Sequence, residues 1–259
     1  MSGGYSKWRT LLARLLRICA LAAVSTYVIL CGYVAAIQRR LLYFPTHHTP
    51  ASLLERWERG GQLIGFKREV SGAKTAWLYL HGNSGQASER SAVLRKVGTA
   101  SSYYIVEYPG YGGRAGSPSE DALNSAAREA YLELVASGRY ERIGVVGESL
   151  GSGPASFLGT VDPQPAKIAL IVPYDEIVAV AGERYPWLPV RFLMRDQWKN
   201  SEALRGYRGE VVIFAASEDE VIPPHHARRL HERVPGSRLV IFRGGHNDWP
   251  ESGDVKIGF

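Results

Sequence analysis

The chain has 259 residues, of which 45% are hydrophobic and 22% charged, a composition that excludes a disordered polar chain and leaves room for a sizeable core. Its formal net charge of +6 does not mark a nucleic-acid surface. Residues 1–40 carry six Lys or Arg and no acid, leaving 25 basic against 25 acidic residues over positions 41–259, so no nucleic-acid partner is expected. Cys19 and Cys31, the two cysteines, would lie about 18 Å apart along a helix, too far to bridge.

In chain order, residues 1–17 form a basic tail with Lys7, Arg9, Arg14 and Arg17. Residues 18–37 are uncharged and mostly apolar, long enough as a helix to cross a hydrocarbon core of about 30 Å. The basic residues before this run outnumber Arg39 and Arg40 behind it, which predicts a cytoplasmic N-terminus and an extracytoplasmic remainder. Val34-Ala35-Ala36 would suit a signal-peptidase site, but the apolar run exceeds a usual signal core, so an uncleaved single-pass anchor is expected. Residues 38–61 read as a connector, with 41–45 an initial apolar strand or an interfacial segment, and 62–259 as one domain without repeats or low-complexity tracts.

Within that domain, apolar runs at 75–80, 103–106, 167–172, 211–215 and 238–242 read as buried strands, and 88–99 and 120–137 as helices. This alternation predicts an α/β architecture, a mainly parallel central sheet with helices on both faces, whose ligands bind beyond the carboxyl ends of the strands. About forty residues separate the strands at 167–172 and 211–215, too few for a full lid. Trp187, Phe192 and Met194 in this short cap are candidates for an apolar rim, although ordinary packing explains each of them equally well.

Chemistry concentrates at those strand ends. Val145-Val146 runs into Gly147-Glu148-Ser149-Leu150-Gly151, a strand-to-helix turn so sharp that the positions two residues either side of the serine must be nearly free of side chain. Alone, the pattern more often marks a strand-to-helix turn with a capping serine. Its context favours a nucleophile. Upstream, the strand at 75–80 runs into His81-Gly82-Asn83, where the backbone N–H of Asn83, with that of Leu150, could hold a developing oxyanion. Downstream, Asp219 follows the strand at 211–215 and His246 lies in a glycine loop after 238–242, suiting an acid that orients a base. Asp175, Glu218 and Glu220 compete with Asp219. Asp175 reads as a residue at a helix start, and Glu218 and Glu220 as flanking side chains that point away. His81 precedes the nucleophile and ends a strand, where an imidazole usually bonds loop backbone.

Taken together and in order, His81-Gly82-Asn83, Tyr108-Pro109-Gly110-Tyr111-Gly112, the serine turn, Asp219-Glu220-Val221-Ile222-Pro223 and Gly245-His246-Asn247-Asp248 resemble the membrane-anchored, single-pass α/β-hydrolase-domain group, over about residues 41–248. The resemblance selects Asp219 as the acid. It implies hydrolysis of an ester, thioester or amide by Ser149, His246 and Asp219, with no metal and no organic cofactor, and a small-molecule acyl ester or lipid-like substrate. A peptidase, an acyltransferase or an idle hydrolase-like scaffold would share these motifs. Two departures stand out: Glu107-Tyr108-Pro109 occurs where relatives often carry an aspartate and an arginine, and thirteen residues follow His246 where the family usually closes with a helix.

Overall fold

A computed structural model of the protein describes residues 3–48 and 54–259. The chain opens with α1 (Gly3–Leu42), within which Trp8–Leu42 is long and apolar enough to cross a membrane. The short strand β1 (Phe44–Pro45) follows, then β2 (Glu55–Arg59), β3 (Gln62–Arg68), β4 (Thr75–Leu80), β5 (Ser84–Gly85) and β6 (Ser102–Val106). Next come α2 (Glu120–Ala136), β7 (Arg142–Glu148), α3 (Ser152–Leu158) and β8 (Lys167–Ile171), then the cap helices α4 (Ile177–Arg184), α5 (Val190–Leu193) and α6 (Asn200–Ala203). The last elements are β9 (Glu210–Ala216), α7 (Pro224–Arg233) and β10 (Arg238–Phe242).

Eight strands form one sheet in the order β10-β9-β8-β7-β4-β6-β3-β2, while β1 pairs with β5 apart from it. The sheet is parallel from β10 to β6, and β3 and β2 join it antiparallel. Every residue of β6 and β8 is buried, as expected of strands covered on both faces, and this explains the apolar runs that follow Ser102 and Lys167 at their starts. Crossovers from β4 run to β6 on one side, and β7 lies on the other. The chain therefore reverses direction across the sheet at β4 and β7, where parallel α/β folds open a crevice beyond the strand ends.

α2 forms where the sequence calls for it. The Ser119 hydroxyl accepts the Ala122 N–H at 3.1 Å, Glu120 and Asp121 occupy the first turn, and Leu123, Ala126, Ala127, Ala130 and Leu134 make one buried stripe.

Three expectations need correction. Residues 88–99 are not an α-helix but two 3₁₀ turns, Ala87–Glu89 and Ser91–Arg95. Tertiary bonds hold the segment instead: Glu107 accepts the Ala87 N–H at 3.1 Å, and the Lys96 carbonyl accepts the Ile257 N–H at 2.9 Å. The sheet also begins inside the expected connector, since β2 pairs with β3 from Glu55 onward. Charged residues flank Trp57, the single buried position of β2, a composition typical of an edge strand. Finally, the strand expected at 167–172 stops at Ile171 because Val172 turns left-handed, with φ 44°.

The residues after His246 cover a face of the sheet without forming a helix. Val255 and Ile257 are buried, Ile257 bridges to Val97, and the Phe259 ring stacks on Trp77 with centroids 4.7 Å apart. Burying each aliphatic side chain contributes about 2 kcal/mol.

Candidate active site

Ser149 sits at the carboxyl end of β7 with φ 51°, a left-handed conformation that costs a non-glycine residue about 1–3 kcal/mol. The two bracketing glycines make the turn possible. A Cβ on Gly147 would lie 2.5 Å from the Ala155 Cβ, and one on Gly151 would lie 2.0 Å from the Leu80 carbonyl oxygen. Side-chain bonds then lock the strained serine in place. Ser152 Oγ donates to the Ser149 carbonyl at 2.6 Å, and Asn200 donates to Ser152 Oγ at 3.0 Å.

The three residues drawn from separate loops meet. His246 Nε2 lies 2.9 Å from Ser149 Oγ, and His246 Nδ1 lies 2.7 Å from Asp219 Oδ2. The other Asp219 oxygen accepts the backbone N–H groups of Val221 and Ile222 at 2.9 and 2.8 Å, so the carboxylate is fixed and buried. Glu218 and Glu220 are exposed. Asp248 Oδ2 accepts the Gly245 N–H at 2.8 Å, and the Glu218 N–H donates to the Gly244 carbonyl at 2.9 Å, tying the histidine loop to the acid loop. An imidazole between a hydroxyl and a fixed carboxylate can take a proton from the first while the second steadies the charge.

The loop after β4 lies against this turn, since a Cβ on Gly82 would stand 3.5 Å from the Ser149 Cβ. Asn83 is held at both its peptide and its side chain. Its carbonyl accepts the Phe44 N–H at 2.9 Å and the Tyr111 hydroxyl at 2.8 Å, and its amide donates to the Leu42 carbonyl at 3.0 Å. Tyr108 donates to the His81 carbonyl at 3.0 Å, and Tyr174 to the Leu150 carbonyl at 3.1 Å. These three tyrosines orient the peptides beside the serine, a role not assigned from sequence. The signal for two of them was there: tyrosines three apart around Gly110 in a turn after a buried strand, which brings both hydroxyls back toward the sheet. His81 is fully buried and bonds the Gly82 carbonyl at 2.8 Å, the backbone role expected of it.

Asp175 is engaged elsewhere. Its oxygens meet His226 Nδ1 at 2.7 Å, Arg229 Nε at 3.0 Å and Arg233 at 3.7 Å, an ion-pair network joining the loop after β8 to α7. In the cap, Trp187 and Phe192 are exposed and Met194 is half-buried against the core.

Glu107, the departure from the family pattern, lies under the same loop. It is 1% exposed, and burial pushes its carboxyl from 4.5 up to about 7. The folded chain thus holds a proton that the unfolded chain releases, and this contribution is lost as pH rises through about 7. Burial also drives His81 down to about 3, which costs stability in the opposite direction as pH falls below 6.5. The parent and Glu107→Gln share that histidine, so comparing them isolates the glutamate. Between pH 4.5 and 8, urea midpoints are expected to show Glu107→Gln gaining about 3 kcal/mol relative to the parent chain; parallel pH profiles would refute this.

The eight-stranded sheet and the serine turn above it define an α/β-hydrolase, a serine hydrolase by class. No family model matches the sequence, but curated relatives do. The chain is 32% identical over 257 residues to an uncharacterized protein of Mycobacterium tuberculosis, covering 93% of this chain and 90% of the relative. It is 27% identical over 205 residues to the α/β-hydrolase domain-containing protein WAV2 of Arabidopsis thaliana, covering 69% of this chain and 66% of the relative. It is 25% identical over 228 residues to the lysophosphatidylserine lipase ABHD12 of Gallus gallus, covering 80% and 60%. The chain belongs to the α/β-hydrolase domain-containing proteins. Among solved structures, the fold matches Est1E of Butyrivibrio proteoclasticus at a TM-score of 0.60 with 14% identity, over 74% of this chain and 90% of that one. It matches the Pyrococcus furiosus esterase Pf2001 at 0.59 with 13% identity, over 81% and 94%.

Proposed function

We propose that the protein is an anchored serine esterase that cleaves carboxylic esters or thioesters of apolar acyl groups through an acyl-enzyme. The observation that carries this reading is the chain of contacts from Ser149 Oγ through His246 to Asp219, at 2.9 and 2.7 Å, built on a left-handed serine. Ser149 Oγ attacks the carbonyl carbon while its proton passes to His246 Nε2. The N–H groups of Asn83 and Leu150 receive the oxyanion, and the departing alcohol or thiol leaves with the proton from His246. Water then attacks the acyl-enzyme, gives its proton to His246, and releases the acid as Ser149 recovers its proton. Asp219 holds the imidazole in the required tautomer and steadies its charge. Side-chain and backbone groups handle every charge in these two steps, so no metal or organic cofactor is required. The lipase relative favours a lipid-like ester.

In the proposed topology residues 1–17 lie in the cytoplasm, 18–37 span the membrane and the catalytic domain lies outside, from the charge asymmetry about the apolar run. One experiment tests both parts. A membrane-impermeant fluorophosphonate probe applied to intact cells expressing the chain is expected to label it without lysis. Labelling only after lysis would reverse the topology, and no labelling in either condition would remove the nucleophile.

A further inference from the structure

Resting on the esterase reading, we infer that the cap and the end of α1 form a face seated in the outer leaflet, setting Ser149 at the depth of the acyl ester bonds of bilayer lipids. The cap is fastened along the outer half of the span. Tyr27 donates to the Trp187 carbonyl at 2.8 Å, Gln38 donates to the Leu193 carbonyl at 2.9 Å and accepts the Arg195 N–H at 2.7 Å. Arg39 pairs with the buried Asp196 at 3.3 Å. Tyr27 lies ten residues before Ile37, which ends the span, so the cap descends about 15 Å from the surface beside the helix.

What the cap leaves uncovered suits that depth. Trp187 is 55% exposed and Phe192 is 87% exposed, an arrangement costly in water and favourable in acyl chains. Residues 184–195 contain three arginines and no acid, and Arg184, Arg191 and Arg195 are exposed. Long cationic side chains among aromatics reach back to lipid phosphates, the composition of a segment at the membrane interface.

The depth of the site follows from the other end of α1. Leu42, the last helical residue, accepts the Asn83 amide, and Phe44 donates to the Asn83 carbonyl. Leu42 lies five residues past Ile37, about 8 Å beyond the apolar run, which is headgroup territory. The loop beside Ser149 is therefore bolted to the helix at the level where a lipid's ester groups lie, and the substrate class is an acyl ester whose chain stays in the bilayer.

The test uses the full chain in lipid vesicles, with an environment-sensitive fluorophore on Phe192→Cys in a Cys19→Ala, Cys31→Ala background. Lys74→Cys, at the opposite end of β4, serves as the water-exposed control. Lipids with brominated acyl chains are expected to quench the label at 192 by roughly twofold or more and to spare the label at 74. Matching behaviour of the two labels would overturn the placement. A paired Trp187→Asp, Phe192→Asp variant is expected to lose about tenfold or more activity on a vesicle-embedded ester beyond whatever it loses on a water-soluble butyrate ester. Equal losses on both substrates would also overturn it. The depth reading needs no turnover: an inserted label with no hydrolysis of any ester would remove the esterase reading and leave the placement standing.

Discussion

Ser149→Ala is expected to abolish ester hydrolysis, with a loss on the order of 10⁶ in kcat, as removal of the nucleophile costs in the subtilisin template. The reason is geometric. His246 Nε2 faces Ser149 Oγ at 2.9 Å, so without that hydroxyl the base has no proton to take and the acyl group no atom to bond. The alanine is expected to fold, because the bonds that hold the turn are made by the Ser149 carbonyl and by Ser152 and Asn200, not by Oγ. Rates on a soluble ester, with circular dichroism as the folding control, check this. A folded alanine variant that keeps more than a small fraction of the parent rate would place the nucleophile elsewhere.

Asp219→Asn is expected to lower kcat by about 10⁴ while leaving the fold intact, because the amide presents a donor where His246 Nδ1–H needs an acceptor and the imidazole turns to the wrong tautomer. One asparagine oxygen can still accept the Val221 and Ile222 N–H groups, so the loop keeps its shape. Asp175→Asn is expected to do the reverse. It removes charge from a network with His226, Arg229 and Arg233, where an unpaired buried partner costs stability, and it touches neither Ser149 nor His246. The decisive comparison is kcat against the urea midpoint for both variants: Asp219→Asn should move the first and Asp175→Asn the second. If Asp175→Asn proves the slower enzyme with both variants folded, the acid is Asp175.

Much of the site was legible because its geometry makes demands that only certain residues meet. The left-handed turn at Ser149 needs Gly147 and Gly151 beside it, since any side chain there strikes Ala155 or the Leu80 carbonyl, so the turn is written into the sequence. The parallel strands were equally plain. Covered on both faces, β4, β6, β8 and β9 are apolar at nearly every position, and β4, β6 and β9 each end where a motif begins. β2 was not legible: with one buried residue in five, it has the composition of a connector and becomes a strand only because β3 offers it an edge. The segment at 88–99 was misread for the converse reason, as its helical pattern yields to bonds from Glu107 and Ile257, residues far away in sequence.

The sequence by itself determined which residues are the candidates for the chemistry and in what order they come, because a serine in a glycine-bracketed turn, an acid and a histidine each follow a buried strand, and a parallel sheet gathers strand ends at one edge. It also marked residues 18–37 by length and lack of charge. The tertiary structure decided how these parts are held: Tyr108, Tyr111 and Tyr174 reach across the fold to carbonyls beside the serine, and the tail to Phe259 covers a sheet face without a helix. The seating of the cap along α1 was also a tertiary decision. A bond between residues 160 positions apart, such as Tyr27 to Trp187, depends on the path of the whole chain, and no local pattern of hydrophobicity or turn chemistry encodes it.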